Sequence, residues 1–460
     1  MKIFQINKER IRWLLYYSIA FVIGCLSIYA LQIFYGRSFI YEGDGLLQHY
    51  TALMYYGKWM RRILSNIFIT HCFSIPSWDM SIGLGGDVVS TLHYYGIGDP
   101  LNLLAVFVPA QYTESLFNFL VVLRLYLAGA AFWVYCRHHK YRDAMILPGA
   151  IIYVFSFYTV VLSVLHPFFL NPLIYFPLIL LGIDLVMEKG KPAVFIVSCA
   201  AAAYSNFYFF YMISILMVIY AVIRYLSLFR TDWNMKHLLC MIGKFAVYYL
   251  VCVLAALPVL LPSAQSVLAG GRTGKETQVP VFYEPVYYLK LIIAFVNASA
   301  DHYAVLGYTS VGLLAVALLF WKKGKKEKMQ IKIAFVLGTV FLMIPFCGHV
   351  LNGFGYAVNR WVWAYGLVAA LIVVDQMPQM IENAKISIWA ALAGMLIFAL
   401  PTFWYRIAGD REKIILSAIL LACVGVGGYA GSNRKAMEEP ESFCRNVYGN
   451  YFHESISECF

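Results

Sequence analysis

Residues 192–222 read PAVFIVSCAAAAYSNFYFFYMISILMVIYAV and contain no Asp, Glu, Lys or Arg. An α-helix needs about 20 consecutive, mostly apolar residues to cross the hydrocarbon core of a bilayer. Two spans at about 192–206 and 208–227 would meet at a turn around Ser205 and Asn206. Without a turn there, the run would form one long helix. Either form predicts helices that lie within a membrane.

The rest of the chain has the same character. Of its 460 residues, 62% are hydrophobic and only 13% are charged, which is far outside the range of soluble globular domains. We therefore predict an all-α polytopic membrane protein with about twelve spans in one domain, residues 1–430. The predicted spans are residues 13–34, 115–136, 144–163, 168–187, 192–206, 208–227, 239–262, 303–321, 331–348, 360–377, 386–405 and 412–430.

Basic residues set the predicted orientation. They concentrate before the first span and in short links between spans, including Lys322-Lys323-Gly324-Lys325-Lys326. Because Lys and Arg are enriched on the cytoplasmic side, we predict a multi-pass protein of the cell (inner) membrane with a cytoplasmic N-terminus. The net charge of +11 is not gathered into one surface, so nucleic acid is not an expected partner.

The predicted external loops, residues 35–114 and 263–302, are long, and long loops are usually functional. In the first, apolar residues recur at helical spacing over residues 46–67, which predicts a helix lying in the membrane interface. Asp99-Pro100 predicts the start of a second helix. The glycine-rich segment 81–87 predicts a tight turn or a close approach to a ligand.

Unusual polar residues accumulate at the predicted outer ends of the spans. Asp44 lies between two glycines where the interfacial helix begins, and His166 and Arg360 each lie beside a span. Under the predicted topology all of these residues face the same side of the membrane. The candidate donor-binding residues are His166, Tyr204, Asn206, Arg272, Lys275, Asn359 and Arg360.

A reaction that needs this set is sugar transfer from a lipid-linked sugar phosphate. The acceptor hydroxyl loses a proton as it attacks, and a nearby carboxylate such as Asp44 can take that proton. The departing phosphate gathers negative charge, which Arg360, and also Arg272 or Lys275, can stabilise. His166 and Asn206 would orient donor or acceptor.

The same residues also have structural interpretations. Asp44 and Asp99 each precede a predicted helix and could cap it, while Asp87 could belong to a turn. His166 could satisfy a helix end, and Arg360, beside two tryptophans, could anchor its span at the interface. Arg124, about ten residues inside the second predicted span, is either functional or paired with a structural carboxylate.

The segment Gly43-Asp44-Gly45-Leu46-Leu47-Gln48-His49-Tyr50 resembles the bacterial YfhO-type membrane proteins. The resemblance continues through residues 82–87 and 98–103 and recurs at His166-Pro167, Tyr204-Ser205-Asn206 and Asn359-Arg360-Trp361. It covers roughly residues 30–377. Family members carry an extracellular region beyond the bundle, whereas residues 431–460 are here expected to form a short polar cytoplasmic tail.

This family is regarded as part of the GT-C superfamily of multi-spanning glycosyltransferases. The resemblance implies a GT-C-like bundle, a polyprenyl-phosphate-linked sugar as donor and Asp44 as general base. It also implies Glu42, Asp87 or Asp99 as secondary carboxylates, and an envelope glycopolymer such as lipoteichoic acid as acceptor. A separate enzyme that makes the lipid-linked donor is an implied functional partner.

Two other functions stay open. A transporter or flippase of the lipid-linked sugar would place polar groups near the bilayer midplane, where Arg124 is the candidate. A non-catalytic partner in envelope polymer assembly would tolerate the loss of Asp44. The sequence requires no cofactor. A divalent cation is compatible with the several carboxylates of the first loop, although no ligand spacing demands one.

Overall fold

The computed structural model describes residues 8–229, 234–269, 278–296, 304–321 and 329–382. Regular structure in these ranges is almost entirely helical. The α-helices are α1 (Lys8–Ile28), α2 (Ala30–Phe34), α3 (Thr51–Phe68), α4 (Val88–Leu92), α5 (Thr113–His138), α6 (Asp143–Val154), α7 (Phe157–Leu165), α8 (Asn171–Lys189), α9 (Ala193–Ser205), α10 (Phe207–Leu228), α11 (Met235–Ala269), α12 (Pro285–Ala294), α13 (Thr309–Trp321), α14 (Met329–Met343), α15 (Pro345–Leu351) and α16 (Val362–Glu382).

The described part of the chain contains six helices long and apolar enough to cross a membrane, which are α1, α5, α8, α10, α11 and α16. Two bent pairs, α6 with α7 and α14 with α15, raise the number of candidate spans to eight. The chain is thus a helical membrane protein. The predicted spans 386–405 and 412–430 and the predicted tail 431–460 lie outside the described residues.

Breaks between helices follow local chemistry. Asn206 has an extended backbone (φ −167°, ψ 120°) between α9 and α10, which confirms the predicted turn and rules out one long helix. The predicted span 331–348 is bent by 97° between α14 and α15. The bend falls at Ile344, immediately before Pro345, where the proline ring disfavours a helical backbone.

The core forms around α8, which is almost entirely buried and packs against α5, α9, α10 and α16. By contrast, α1 and α11 expose most of their apolar side chains, as expected for helices that face lipid. α9 has only 13 residues, or about 20 Å at 1.5 Å per residue, and does not reach across a core about 30 Å thick. The predicted fifth span is therefore a short helix.

The first loop is folded onto the bundle. The helix predicted over residues 46–67 is present as a π-helical turn, Gly45–Tyr50, continued by α3. The glycine-rich segment forms a small antiparallel hairpin of β1 (Trp78–Asp79) and β2 (Gly86–Asp87), which leads into α4. The helix predicted to start at Asp99-Pro100 is only a short 3₁₀ segment, Asn102–Val106.

The helix bounds on both sides of the second predicted loop are shifted along the chain, since α13 begins at Thr309 and the predicted span at residue 303. α11 extends to Ala269, beyond the predicted end of its span at residue 262, and α12 lies within the predicted loop. Residues 270–277 are not among the described residues, so the predicted site residues Arg272 and Lys275 lie outside them.

Candidate functional site

Asp44 directly precedes the π-helical turn, but its side chain does not cap it. Instead, Oδ1 of Asp44 accepts a hydrogen bond of 2.8 Å from Nε2 of Gln48, one turn later. Within the described part of the chain this is the only hydrogen bond to its carboxylate. Asp44 is half-buried, so the carboxylate is held in place yet still open to a reacting group.

The π-helical turn also places His49 beside a second histidine, His166. Nε2 of His49 lies 2.9 Å from Nδ1 of His166, which follows the end of α7. His49 is 7% exposed, and burial lowers its pKa to about 3, with a further lowering by the neighbouring His166. The hydrogen bond uses Nδ1 of His166, so Nε2 is the ring nitrogen that is left to act on a ligand.

Arg360 lies in a cage of aromatic rings. Its guanidinium carbon is 5.6–5.7 Å from the ring centroids of Phe169, Tyr208 and Tyr356, within cation–π range. Nη2 donates a hydrogen bond of 2.5 Å to the hydroxyl of Tyr356, and Nη1 donates one of 3.4 Å to that of Tyr208. None of the ion pairs found within the described residues involves Arg360. Its positive charge therefore remains available to an anion.

The charges of Asp44 and Arg360 both influence His166. Burial lowers the pKa of His166, the Asp44 carboxylate opposes this by raising it, and the Arg360 guanidinium lowers it further. Both charges thus act on the same imidazole ring, which also stacks on Phe169 at a centroid distance of 5.0 Å. We call Asp44, His49, His166, Tyr208 and Arg360 the Asp44–Arg360 site.

Asn206, Tyr204 and Asn359 serve the scaffold of this site in the structure. The Asn206 side chain caps α10, accepting from the backbone N–H groups of Tyr208 and Phe209, and donates to the carbonyl of Tyr94 at 2.5 Å. The carbonyl of Tyr204 accepts from Nε2 of buried His93 at 3.0 Å. These bonds tie the first loop to the turn between α9 and α10.

Buried Asn359 is likewise surrounded by protein. It donates to the hydroxyls of Tyr283 and Tyr287 at 3.3 Å each, and its oxygen accepts from Nε1 of Trp361 at 2.9 Å. Asn359 thereby fixes the start of α16, and with it the position of Arg360.

Asp99 and Arg124 form a buried ion pair. Nη2 of Arg124 lies 2.7 Å from Oδ2 of Asp99, and the two side chains are 4% and 0% exposed. Asn171 donates to the same carboxylate oxygen and accepts from Nε of Arg124, both at 2.8 Å. Asn102 accepts from Arg124 at 2.8 Å. Of the two interpretations of Arg124, the structure favours pairing with a structural carboxylate.

The remaining predicted carboxylates lie apart from this network. Asp87 accepts a hydrogen bond from the backbone N–H of Ser90 at 2.8 Å and so caps α4, while Glu42 is exposed. Within the described ranges no group of three or more His, Cys, Asp or Glu side chains could hold a metal ion.

Some residues of this end of the bundle were missed by sequence reasoning. His49 was quoted only as part of a motif, and its hydrogen bond to His166 crosses 117 positions, which no local pattern reveals. Tyr208 belongs to an aromatic run that resembles an interfacial belt. The sequence held only a weak signal for His49, which lies about one turn after the Asp44 carboxylate on the same predicted helix.

A second ionic cluster, at the opposite end of the bundle, was also missed. Asp184 is fully buried and pairs with Nε of Arg224 at 2.8 Å and with Nε2 of His139 at 3.0 Å. Glu188 pairs with the same arginine at 2.5 Å and with His138 at 3.2 Å. The signal was present, because ionisable residues within apolar spans need partners.

Residues 17–429 of the chain match the family model described as bacterial membrane protein YfhO. The chain is also similar to a protein of Bacillus subtilis (strain 168) named "Uncharacterized protein YfhO", with 22% identity over 378 residues. That match covers 78% of this chain and 42% of the relative, so the chain spans about two fifths of the relative's length. No solved structure matches this chain.

Proposed function

Because this chain belongs to the YfhO family of bacterial membrane proteins, we propose that it is a membrane glycosyltransferase of the GT-C type. The donor is a polyprenyl-phosphate-linked sugar, and the acceptor is a hydroxyl of a cell-envelope polymer such as a teichoic acid. The site faces the extracytoplasmic side. One geometric arrangement carries this proposal. The half-buried Asp44 directly precedes the π-helical turn whose His49 lies 2.9 Å from His166, and His166 stacks on Phe169, one of the rings around Arg360.

In the proposed reaction the acceptor oxygen attacks the anomeric carbon of the sugar. A carbon–oxygen bond forms there while the bond from that carbon to the donor phosphate oxygen breaks, and its electron pair leaves with the polyprenyl phosphate. Asp44 takes the hydroxyl proton, since a carboxylate within hydrogen-bond reach is a general base for this step. The charge that develops on the phosphate is stabilised by Arg360.

The surroundings of Arg360 suit this task. A guanidinium can bind phosphate with two parallel hydrogen bonds. Arg360 is half-buried among its aromatic rings, and partial burial strengthens its attraction to an anion. The two tyrosine hydroxyls that now accept from Arg360 fix the direction of the guanidinium before the donor binds. His166, through Nε2, would orient a sugar or acceptor hydroxyl between the two charges.

The test compares Asp44→Asn with Glu114→Gln in the native host. Glu114 is an exposed carboxylate in the first turn of α5 and serves as the matched control. Envelope polymers from cells that carry the wild-type gene, no gene or either variant are analysed by mass spectrometry. We expect the sugar modification to disappear with Asp44→Asn and to persist with Glu114→Gln, while both proteins remain inserted and equally stable.

Modification at the wild-type level in the Asp44→Asn strain would exclude the proposed base. The two alternatives give different patterns. A flippase would move a fluorescent lipid-linked sugar across the bilayer of liposomes that contain no acceptor. A non-catalytic assembly partner would support modification even when Asp44 and Arg360 are both replaced.

A further inference from the structure

A large apolar cavity lies between α10 and α11 and encloses about 680 Å³. Most of its lining comes from these two helices. Ile183 and Met187 of α8 and Phe195 of α9, all buried, form its inner wall. The lining side chains are apolar or aromatic, apart from the hydroxyl groups of Ser214 and two tyrosines. We call this space the α10–α11 cavity.

The length of the α10–α11 cavity matches one leaflet of a bilayer. Along α10 its lining runs from Ser214 to Leu226, and along α11 it runs from Leu238 to Tyr249. At 1.5 Å per residue these are about 18 Å and about 16 Å of helix. Both lengths are close to half of a hydrocarbon core that is about 30 Å thick.

The deep end of the cavity is closed. Oγ of Ser214 lies 2.8 Å from the hydroxyl of Tyr249, and the ring of Tyr249 stacks on Phe210 at a centroid distance of 5.7 Å. This end faces the Asp44–Arg360 site, since Tyr208 of that site is only two residues before Phe210. The other end, at Leu226, is about 27 Å further along α10 than Tyr208. The cavity therefore opens in the opposite leaflet, which is cytoplasmic under the predicted orientation.

One side of the cavity is open toward lipid. Val218, Val222 and Leu226 of α10 and Ile242 of α11 line it, and each is more than half exposed. α11 itself packs against α9 and α4 and exposes most of its apolar side chains. A hydrocarbon chain can therefore enter sideways, between α10 and α11, without any rearrangement of the bundle.

Three lysines lie next to the open end. Lys189 and Lys191 follow Met187 at the end of α8, and Lys236 lies in the first turn of α11, two residues before Leu238. All three side chains are exposed. None of the ion pairs found among the described residues involves any of them. Their positive charges therefore remain available to an anion.

The neighbouring polar groups keep this end of the cavity cationic. Nδ1 of His237 lies 2.9 Å from the hydroxyl of Tyr225, which lines the cavity, so the start of α11 is held at the open end. Glu188, beside Lys189 in the chain, already pairs with Arg224 and His138. The cavity thus combines a basic open end, apolar walls and a closed deep end.

We propose that the α10–α11 cavity binds an anionic phospholipid, with its phosphate at the three lysines and its acyl chains between α10 and α11. Basic pockets between membrane helices are known headgroup sites for such lipids. The enclosed volume is about four to five times that of a cavity that accepts one benzene ring, so it has room for more than one hydrocarbon chain. The bound lipid fills the gap between two helices of the bundle. This inference does not depend on the proposed glycosyl transfer.

The headgroup must supply the selectivity of this site. Lipid tails are as apolar as the cavity walls, so moving a tail from the bilayer into the cavity gains little hydrophobic free energy. Each lysine close to a negatively charged headgroup, by contrast, adds to its attraction. Phosphatidylglycerol should therefore bind more tightly than phosphatidylcholine with the same acyl chains.

The first measurement is native mass spectrometry of the purified full chain in detergent, with either lipid added in stepwise excess. We expect one phosphatidylglycerol per chain to bind about tenfold or more tightly than phosphatidylcholine. Replacing the three lysines together, as Lys189→Gln, Lys191→Gln and Lys236→Gln, should remove this preference.

A matched triple variant controls for the change in net charge. It replaces three exposed cations that do not line or flank the cavity, as Arg10→Gln, Lys140→Gln and Arg142→Gln. We expect this variant to keep the preference for phosphatidylglycerol. An equal loss of preference in both triple variants would mean that net charge attracts the lipid, and would overturn the assigned headgroup site.

A second pair of variants tests the position of the chains. Ala221 lines the α10–α11 cavity, whereas Ala334 of α14 lines a separate space between α10, α14 and α16. Ala221→Trp should weaken the binding of both lipids about tenfold or more, while Ala334→Trp should bind them as the wild type does. Thermal unfolding in lipid-free detergent verifies that both variants are folded.

Photolabelling tests the same position on the unaltered protein. Phosphatidylglycerol that carries a diazirine at the end of one acyl chain is added in phosphatidylcholine nanodiscs, and labelled peptides are mapped after illumination. We expect label on α10 and α11 near Ser214 and Tyr249, at the deep end of the cavity. Label confined to other helices would overturn the assignment.

Two further outcomes would also overturn the proposal. Equal binding of the two lipids by the wild-type chain would exclude selection of an anionic headgroup. A dimer in lipid-free detergent that Ala221→Trp converts to a monomer would show that a second copy of the chain, and not a lipid, occupies the cavity.

Discussion

Replacing Asp99 by Ala should destabilise the protein strongly, because it leaves Arg124 charged and buried without its counter-ion. The carboxylate of Asp99 accepts three hydrogen bonds, from Arg124 at 2.7 Å, from Asn171 at 2.8 Å and from the backbone N–H of Leu101 at 3.0 Å. Breaking a buried pair by removing one partner typically costs about 3–5 kcal/mol. We expect a loss of that size in the free energy of unfolding.

The measurement is unfolding of the purified protein in mixed micelles, followed by tryptophan fluorescence as the denaturing detergent is increased. Glu114→Ala, an exposed carboxylate, is the control and should change stability by less than about 0.5 kcal/mol. The double variant Asp99→Ala with Arg124→Met should be more stable than the sum of the two single losses predicts, since neither charge then remains unpaired.

A loss below about 1 kcal/mol for Asp99→Ala would refute this reasoning. It would mean that water reaches Arg124 once the carboxylate is gone. Strict additivity in the double variant would refute it as well, because an ion pair that stabilises the fold must show coupling between its two members.

Three further outcomes follow from the structure. Burial lowers the pKa of His93 to about 4 and that of His49 to about 3, so both should contribute stability above pH 6.5 that is lost as the pH falls toward 4. In unfolding measured against pH the slope should approach about 1.4 kcal/mol per pH unit for each histidine and should decrease in His93→Gln. Gly98→Ala should cost about 1–3 kcal/mol, because its Cβ would lie 2.1 Å from a backbone carbonyl oxygen, whereas Gly243→Ala has open space and should not destabilise. Asn206→Ala should cost about 1–2 kcal/mol through the lost cap of α10, and Asn206→Ser, which keeps an accepting oxygen at the cap without burying a charge, should cost less in the same unfolding assay.

Much of the fold could be predicted because it depends on local patterns. Apolar runs predicted the six to eight described helices and bent pairs that are long and apolar enough to cross a membrane, and alternating polar and apolar faces predicted α3. The turn at Asn206 was also local, since Asn caps helices well. The bend before Pro345 was not predicted, because hydropathy does not report whether an apolar run is straight. The bounds of α9 were close to those predicted, but hydropathy interpreted this short helix as a membrane span.

The candidate site was predictable only in part. The sequence singled out Asp44, His166 and Arg360, but the roles of carboxylates depend on contacts between distant segments. Asp44 and Asp99 looked like helix caps and Asp87 like a turn residue, yet Asp87 caps α4, Asp99 pairs with Arg124 across 25 positions and Asp44 caps nothing. Only the three-dimensional arrangement separates a carboxylate used by the fold from one available for chemistry.

The shortness of α9 has a consequence for engineering within the family. Because the helix ends early, the first loop fills the space above it: His93 bonds to Ser263 of α11 at 2.8 Å and to the backbone at the end of α9. The first loop is therefore packed against α9 and α11 as part of the bundle. It cannot be exchanged as a surface insertion can. Grafting it from a relative should fail unless the facing residues of α9 and α11 are transplanted along with it.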